Sequence, residues 1–394
     1  MSINSVEFRF LSVASGLYRF MLLVIISSIA VGMGRVATTF YALHLGASNA
    51  QIGYIASLEA FGRLIVTLPA GFVIARYGAR RIYALSNFIP MLFNAIMPWA
   101  GAWYVLAVLR GMICLSVPFR MVSLNSSFLI QLPAIGLNRA GWFRGAQSFG
   151  MSIAGPVLGG LLIENGGYFV CYFLVASLFG FMMIYGHRIL PESEEEAEVT
   201  GKTSSLSTVV GELRDLWRIE AIRGACVIEF VNSLATTIFT TFILVLALTV
   251  AGLSQVQAVS LLTVQGVTLV LASFFLGYLL NLVPRERLQF LSILLSLTGL
   301  GLLGSCVNFI WLALGTLLLA NGSALITLTR TAQLSQLQVN KSKLAAVYNL
   351  FNMSGSLVGA IFGGVLGDLI GLQQLFLMLI PLFLITLIGK IVRR

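Results

Sequence analysis

Six ionisable side chains lie inside long apolar stretches of this sequence, where they could bind a charged molecule or carry a proton. They are Arg35, Glu59, Arg63, Arg110, Arg120 and Glu229. A charged group at the centre of a bilayer costs about 2.5–3.5 kcal/mol on insertion scales, so each needs a partner, water or a function. Guanidinium groups bind carboxylates and phosphates through paired hydrogen bonds. The excess of arginine therefore predicts a cavity for a small organic anion or zwitterion.

These ionisable groups lie at two different depths in the predicted membrane. At a rise of about 1.5 Å per residue, Arg35, Glu59 and Arg110 lie at one level near the middle of the first half of the chain. We expect Arg35 and Arg110 to bind the substrate at this level. Arg120 lies further along its stretch, where we expect its side chain to reach the lipid headgroups on the cytoplasmic side.

Glu59 is the first candidate for proton coupling. Desolvation disfavours its charged form, while a neighbouring arginine favours that form, so the two effects could place its titration within reach of a transport cycle. The alternative is a permanent pair with Arg35 or with Arg63, which follows one helical turn later on the same face. Both interpretations are compatible with the sequence.

The second half of the chain offers one intramembrane carboxylate and several neutral polar groups. Glu229 is either a second proton site or the partner of Arg223 or Arg330. Gln265 stands at the repeat position of Glu59. The neutral groups expected to bind substrate are Asn232, Gln265 and Asn321.

The composition indicates that membrane-spanning helices carry these ionisable and polar side chains. Of 394 residues, 58% are hydrophobic and 10% are charged, whereas soluble domains hold about 25% charged residues. This balance excludes an ordinary soluble enzyme and a disordered chain. Since a membrane-spanning helix needs about 20 apolar residues, we predict an all-α polytopic membrane protein. The twelve predicted spans are near 18–43, 49–74, 82–100, 103–128, 141–163, 168–188, 222–250, 256–281, 287–306, 309–331, 344–366 and 372–391.

The basic residues predict the orientation of these spans. Alternate connections, such as 44–50, 164–168 and 367–371, contain no lysine or arginine, and the basic residues concentrate in the other connections and at the termini. The positive-inside rule then places both termini in the cytoplasm. The net charge of +10 is accordingly a topology signal, and we expect no nucleic-acid partner. The cysteines and histidines lack metal-ligand spacing, so no metal or cofactor is expected.

The chain divides into two similar halves. Residues 189–221 contain an acidic run and a segment with amphipathic helical spacing, and we predict a cytoplasmic linker there. This linker separates two predicted six-helix bundles, 1–188 and 222–394, whose sequences agree at an offset of 204–206. The aligned pairs include Gly71 and Gly277, Gly155 and Gly359, and Glu164 and Asp368. Duplicated halves are typical of secondary transporters.

Two local motifs resemble a known family. The second connection reads Gly71-Phe-Val-Ile-Ala-Arg76-Tyr-Gly78-Ala-Arg80-Arg81, and the fifth span contains Gly155, Pro156 and Gly159. The first motif is similar to the signature loop of the major facilitator superfamily, in which a glycine, an acidic residue and a basic cluster shape a cytoplasmic gate. Ala75 stands at the acidic position of that loop. The second motif resembles one shared by proton-coupled exporters of the same superfamily.

This resemblance implies a monomeric secondary transporter in the inner membrane, with spans one, four, seven and ten lining a central cavity. Two pseudo-symmetric bundles would alternate access to that cavity. The expected partners are a small-molecule substrate, protons and membrane lipids. Proton-coupled efflux is the first expectation. The alternatives are an organic-acid uptake carrier and a membrane scaffold that does not transport, whereas an enzyme would need clustered catalytic groups that the sequence does not offer.

Overall fold

The computed structural model describes residues 3–135, 140–190, 219–335 and 341–391. The acidic run and the amphipathic segment of the predicted linker lie outside the described residues. Within these ranges the chain is almost entirely helical, so the prediction of an all-α fold is confirmed.

The helices follow the order of the predicted spans. The first half contains α1 (Ile3–His44), α2 (Asn49–Tyr77), α3 (Ala79–Ile96), α4 (Trp103–Ile135), α5 (Ala140–Phe149) and α6 (Gly155–Ile189). The second half contains α7 (Glu220–Val245), α8 (Gln255–Leu282), α9 (Arg285–Ser305), α10 (Phe309–Ser335), α11 (Lys341–Ile370) and α12 (Leu372–Ile391). Gly167, with φ of 75°, interrupts α6 where the sequence separates spans five and six.

Eight helical segments among the described residues are long and apolar enough to cross a membrane, judged by length and composition. They extend along the chain from Tyr18–His44 to Val347–Ile370. Because a backbone in lipid must satisfy its own polar groups, continuous helices of this kind are the expected spanning element. The chain is therefore a multi-pass membrane protein.

The helices form two compact units. Unit 1 contains the described residues of Met1–Leu45 and Ile65–Thr200, and unit 2 contains those of Gly46–Leu64 and Gly201–Arg394. In unit 1, α1 packs along α6, and α3 packs against α4 and α6. In unit 2, α7 packs along α11, α10 contacts α7, α8 and α9, and α12 packs against α9. The first part of α2 belongs to unit 2.

Glycines that the internal repeat aligns make equivalent contacts in the two units. A Cβ atom added at Gly155 would lie 2.8 Å from the carbonyl oxygen of Ile29 in α1. A Cβ atom added at Gly359 would lie 2.7 Å from the carbonyl oxygen of Leu234 in α7. Small residues permit such backbone contact between membrane helices. The repeat thus describes a shared mode of packing as well as a sequence pattern.

The helices α2 and α8 also begin in the same way. The Ser48 backbone N–H donates to Gln51 Oε1 at 3.0 Å, and the Gln51 N–H donates to Ser48 Oγ at 3.4 Å. Ser254 and Gln257 repeat this exchange at 3.1 and 3.3 Å. Each pair is a capping box that satisfies two N–H groups at a helix start. The pattern Ser-x-x-Gln recurs at an offset of 206 residues, so this capping box is a feature of the repeat that the sequence itself contains.

The Gly-Pro motif of the fifth span is preceded by a widened helical turn. Residues Gly150–Ala154 form a π-helical turn, and α6 begins with Gly155 and Pro156. Proline has no N–H and its ring crowds the preceding turn, which accounts for the local departure from α-helical bonding. Turns of this type are frequent at functional positions in helices.

Candidate functional site

Among the described residues, the most enclosed carboxylate lies in unit 2, where α7, α10 and α11 meet. Glu229 of α7 is 2% exposed. The Tyr348 hydroxyl donates a short hydrogen bond to its Oε2, and Asn352 Nδ2 donates to its Oε1 at 2.6 Å. Tyr348 and Asn352 are four residues apart on α11, so both side chains reach the same face. Each carboxylate oxygen therefore has one neutral donor.

The partners of Glu229 differ from those considered in the sequence analysis. Within the described part of unit 2, its hydrogen bonds go to Tyr348 and Asn352, and neither Arg223 nor Arg330 is among its partners. Arg330 is buried on α10, where its NH1 group donates to Gln333 Oε1 at 3.0 Å. Its charge is close enough to interact electrostatically with Tyr348. Pairing of Glu229 with either arginine is thus a wrong expectation.

The amide side chains of unit 2 that were predicted to bind substrate differ in burial and in hydrogen bonding. Asn232 is buried on α7, and its Nδ2 lies 3.5 Å from Thr327 Oγ1 while its Oδ1 meets no donor among the described residues. Gln265 is buried on α8. Asn321 donates from Nδ2 to the Leu317 carbonyl of its own helix at 2.9 Å. Asn232 is therefore the amide with a free acceptor, whereas the Asn321 amide nitrogen is already engaged.

The predicted substrate-binding arginines lie in unit 1. Arg110 of α4 is 7% exposed, and its NH1 atom would lie 3.5 Å from a Cβ atom added at Gly34 of α1. Asn94 Oδ1 of α3 would lie 3.9 Å from the same position. The absence of a side chain at Gly34 thus leaves room for the guanidinium beside α1. Arg35 is half-buried on α1. Their roles in binding stay predictions.

Glu59 and Arg63 lie on the part of α2 that belongs to unit 2. The Arg63 Nε donates to the backbone oxygen of Glu59 at 3.4 Å, so the arginine side chain folds back along its own helix. Both side chains are half-buried. The geometry is that expected for residues one turn apart, and the proton role of Glu59 stays a prediction.

Arg120 does not reach the lipid headgroups, so the expectation of snorkelling is wrong. It is 1% exposed, and its guanidinium lies 4.9 Å from the centre of the Phe179 ring of α6. The expected snorkelling is wrong because α3 and α6 enclose this part of α4, which the sequence of α4 alone does not show.

The predicted gating residues occupy a tight connection. One residue, Gly78, separates α2 from α3 and has φ of 81°, which glycine adopts without strain. Arg76 and Arg81 are exposed, and Arg80 is half-exposed. Gly71 lies within α2. In the other motif, Gly155, Pro156 and Gly159 are all buried, and a Cβ atom at Gly159 would lie 3.1 Å from Met33 Cα.

Asp368, which the repeat aligns with Glu164, has a role that the sequence did not predict. Asp368, near the end of α11, accepts hydrogen bonds from the backbone N–H groups of Asn49 and Ala50, both at 2.9 Å. These groups begin α2 and have no intrahelical acceptor. Asn49 Nδ2 also lies 3.4 Å from the Gly367 carbonyl. All these residues belong to unit 2. The alignment of Glu164 with Asp368 singled out this position but did not indicate its partner.

A family model and two curated relatives match the chain. The model of the Major Facilitator Superfamily matches residues 12–356 and 225–394. The multidrug efflux pump Tap of Mycobacterium tuberculosis (strain ATCC 25618 / H37Rv) is 26% identical over 214 residues, which cover 50% of each chain. The probable galactarate/D-glucarate transporter GarP of Escherichia coli (strain K12) is 27% identical over 168 residues, 38% of this chain and 34% of GarP. The chain thus spans half the length, or less, of these relatives.

Solved structures share the fold over nearly the whole chain. The nucleoside transporter NupG superposes with a TM-score of 0.74 at 13% identity, covering 95% of this chain and 98% of that one. A bacterial homologue of the human lysosomal transporter Spinster superposes with a TM-score of 0.75 at 12% identity, covering 95% of each chain. At these identities the likeness shows the fold alone.

Proposed function

The chain belongs to the Major Facilitator Superfamily, and on that premise we propose that it exchanges protons for a small organic, anionic or zwitterionic molecule across the inner membrane. The family points to a transporter and not to an enzyme, and the relatives support a small molecule as its cargo. The charge of the cargo, the proton coupling and the outward direction are the proposal. Alternating access by two bundles is the general mechanism of such carriers.

The observation that supports proton coupling is the environment of Glu229. Its carboxyl group is buried and receives hydrogen bonds from two neutral donors, Tyr348 and Asn352. A permanent partner of opposite charge would hold a carboxylate in its ionised form. Glu229 has no such partner among its hydrogen bonds; burial favours its neutral form and the two neutral donors favour its ionised form, so the carboxyl group is able to change protonation state. Intramembrane carboxylates in such settings commonly form proton relays.

The charge of the cargo rests on the other buried groups. Arg110 and Arg35 supply positive charge in unit 1, and guanidinium groups suit carboxylates and phosphates. Asn232 supplies an acceptor on α7, since its Oδ1 meets no donor among the described residues. A carboxylate of the cargo would suit the arginines of unit 1. We therefore favour an anion or a zwitterion, with Gln265 and Asn321 as further polar contacts.

Two observations support efflux over uptake. One relative is a multidrug efflux pump, and Gly155 and Pro156 resemble an exporter motif and here follow a widened turn. Uptake of an organic acid is the second candidate, because the other relative is a probable galactarate/D-glucarate transporter and the arginines suit a dicarboxylate. In either case we propose a monomer with both termini in the cytoplasm.

The proposal is tested with the purified protein in liposomes and an imposed pH gradient of either sign. D-glucarate and a panel of zwitterionic drugs serve as probes. If export is coupled to proton entry, the flux of at least one probe must be faster when the proton gradient drives protons in the direction opposite to the probe. In Glu229→Gln this acceleration is expected to disappear while passive exchange of the probe persists, because the neutral amide cannot release a proton.

Glu59→Gln tests the second proton candidate in the same assay, and Glu164→Gln, an exposed carboxylate of α6, is the matched control. Loss of acceleration in Glu59→Gln as well would make both carboxylates part of the proton path. Equal acceleration in the wild type, Glu229→Gln and Glu59→Gln would refute proton coupling at these residues. Acceleration only when protons and probe move in the same direction would replace efflux with uptake.

A further inference from the structure

Within the proton site that the proposed function assumes, we propose that Glu229 is protonated on Oε2, and that Tyr348 is the positioning residue whose hydroxyl group serves both protonation states of this oxygen. Its hydroxyl donates to the ionised carboxylate and accepts from the neutral acid. The inference rests on proton coupling at Glu229. It adds which carboxylate oxygen is protonated and which neighbouring side chain accepts the hydrogen bond of the acid.

The two donors of Glu229 differ in what they can accept. Asn352 contacts Oε1 through Nδ2, an amide nitrogen that donates only. Tyr348 contacts Oε2 through a hydroxyl group, which can both donate and accept. A proton on Oε1 would face the N–H of Asn352 and lose a hydrogen bond. A proton on Oε2 can be donated to Tyr348 once the tyrosine hydrogen turns away, so both oxygens keep a partner.

Protonation of Glu229 in this arrangement requires an O–H bond to form at Oε2 and the hydroxyl group of Tyr348 to rotate. A proton from the aqueous phase binds Oε2, and the Tyr348 O–H bond stays intact while its hydrogen turns from Oε2 to another acceptor. The tyrosine ring packs against the buried cluster that contains Ile222, Cys226 and Val347. Because packing fixes the ring, the torsion of the O–H group is the motion that remains.

Arg330 biases the orientation of this hydroxyl group. Its charge interacts with Tyr348, and a guanidinium group repels the hydroxyl hydrogen and attracts the oxygen lone pairs. The hydrogen is therefore favoured on the side of Glu229, the orientation that stabilises the ionised carboxylate. Gln333 Oε1 holds the guanidinium at 3.0 Å. Arg330 thus acts on Glu229 through Tyr348.

Among the residues whose side chains the structure describes, the titratable groups around this site come from three helices. On α7, Cys226 lies three residues, or about one helical turn, before Glu229. On α11 the group is Tyr348, and on α10 it is Arg330. The Cys226 thiol is buried, and its ordinary titration lies well above that of a carboxylic acid. Glu229 is therefore the group of this cluster expected to titrate in the pH range of a transport cycle.

The first test is the pH dependence of proton-driven flux in liposomes. Tyr348→Phe removes a charge-assisted hydrogen bond from the ionised carboxylate and a weaker one from the neutral acid. We expect the pH of half-maximal flux to move upward by about one unit. Tyr185→Phe, which removes the hydroxyl of a half-exposed tyrosine on α6, is expected to leave the profile unchanged.

The second test identifies the protonated oxygen and does not require transport. Infrared difference spectra of the purified protein between acidic and alkaline pH should contain a carboxylic acid carbonyl band that Glu229→Gln removes. If the proton is on Oε2, the carbonyl oxygen is Oε1, which accepts from Asn352. Asn352→Leu should then move the band to higher frequency, whereas Tyr348→Phe should leave the band close to its wild-type position.

The outcomes separate this inference from the proposed function. A carbonyl band that shifts in Tyr348→Phe and stays in place in Asn352→Leu would put the proton on Oε1 and overturn the inference. A wild-type flux profile in Tyr348→Phe, with pH dependence lost in Glu229→Gln, would also overturn it and leave the proposed function intact. Flux and spectra that do not change in Glu229→Gln would instead refute the proton site itself.

Discussion

The carboxylate of Asp368 caps the helix that begins at Asn49, although the two residues are 319 positions apart. Its Oδ1 and Oδ2 atoms accept from the N–H groups of Asn49 and Ala50, each at 2.9 Å. The contact joins the end of α11 to the start of α2, the part of that helix assigned to unit 2. A negative charge at a helix N-terminus also interacts favourably with the helix dipole.

Asp368→Asn should therefore destabilise the protein. The amide retains one acceptor and loses the charge, so we expect a loss of about 0.5–1 kcal/mol, with the small value reflecting the exposure of this carboxylate. Thermal unfolding in detergent at low and high salt measures it, and salt should reduce the difference. Glu164→Gln at the repeat-equivalent position is the control. Equal melting temperatures of Asp368→Asn and the wild type at low salt would contradict the capping role.

The close approach of the same two helices gives a second prediction. A Cβ atom at Gly364 would lie 2.7 Å from the Asn49 carbonyl oxygen and 3.0 Å from Ala50 Cα, both backbone atoms that cannot move alone. Gly364→Ala should cost about 1–3 kcal/mol of stability. Gly224→Ala on α7 is the matched control, because a Cβ atom there meets nothing within 4 Å and alanine favours the helix. The prediction fails if both variants unfold at the wild-type temperature.

The Gly-Pro motif should be equally sensitive to one methyl group. At Gly155 the added Cβ atom would lie 2.8 Å from both Gly32 Cα and the Ile29 carbonyl oxygen. We expect Gly155→Ala to separate α6 from α1 and to reduce the rate of probe flux in liposomes at least tenfold, since such carriers depend on packed helices moving as units. Gly301→Ala, in open space on α9, should transport normally. Normal flux in Gly155→Ala would show that this contact is dispensable.

Arg120 should behave as a core residue. Its side chain is buried against the Phe179 ring, so Arg120→Ala removes a desolvated cation from its partners and opens a cavity. We expect a loss of about 2–4 kcal/mol in thermal or denaturant unfolding. The control is Arg188→Ala. The guanidinium of Arg188 is exposed and lies 5.9 Å from the centre of the Tyr185 ring, so its removal should change stability little. A similar small change in both variants would favour the headgroup position that the sequence suggested.

Arg110 provides the test of cargo charge. Arg110→Lys keeps the positive charge but loses the planar pair of donors that fits a carboxylate. We expect the affinity for an anionic probe, measured by calorimetry on the purified protein, to fall at least tenfold, with the affinity for neutral probes unchanged. Exposed Arg287→Ala is the control for a general loss of positive charge. If Arg110→Lys and Arg287→Ala bind the anion alike, Arg110 does not contact the cargo.

The fold could be predicted almost completely from local properties of the sequence. Continuous apolar runs give helices because lipid offers the backbone no other partners. The one-residue turn at Gly78 and the break at Gly167 also follow from residue type, since both have positive φ. The equivalence of Gly155 and Gly359 was visible in the repeat. These are properties of neighbouring residues, so no knowledge of distant contacts is needed.

The candidate site could be predicted only in part. Glu229 stands out in the sequence because a carboxylate in an apolar stretch is costly. Its partners Tyr348 and Asn352 lie 119 and 123 residues later, and no local pattern distinguishes them from Arg223 or Arg330. The burial of Arg120 likewise depends on packing against other helices, including contact with the Phe179 ring of α6, which the sequence of α4 does not show.

The sequence by itself thus determined which stretches of the chain form helices and which charges must lie within them, because these follow from hydrophobicity and backbone bonding over a few turns. Only the tertiary structure decided which groups those charges meet. Helix packing brings together side chains more than a hundred residues apart, and whether a buried carboxylate meets an arginine or two neutral donors depends on that packing alone.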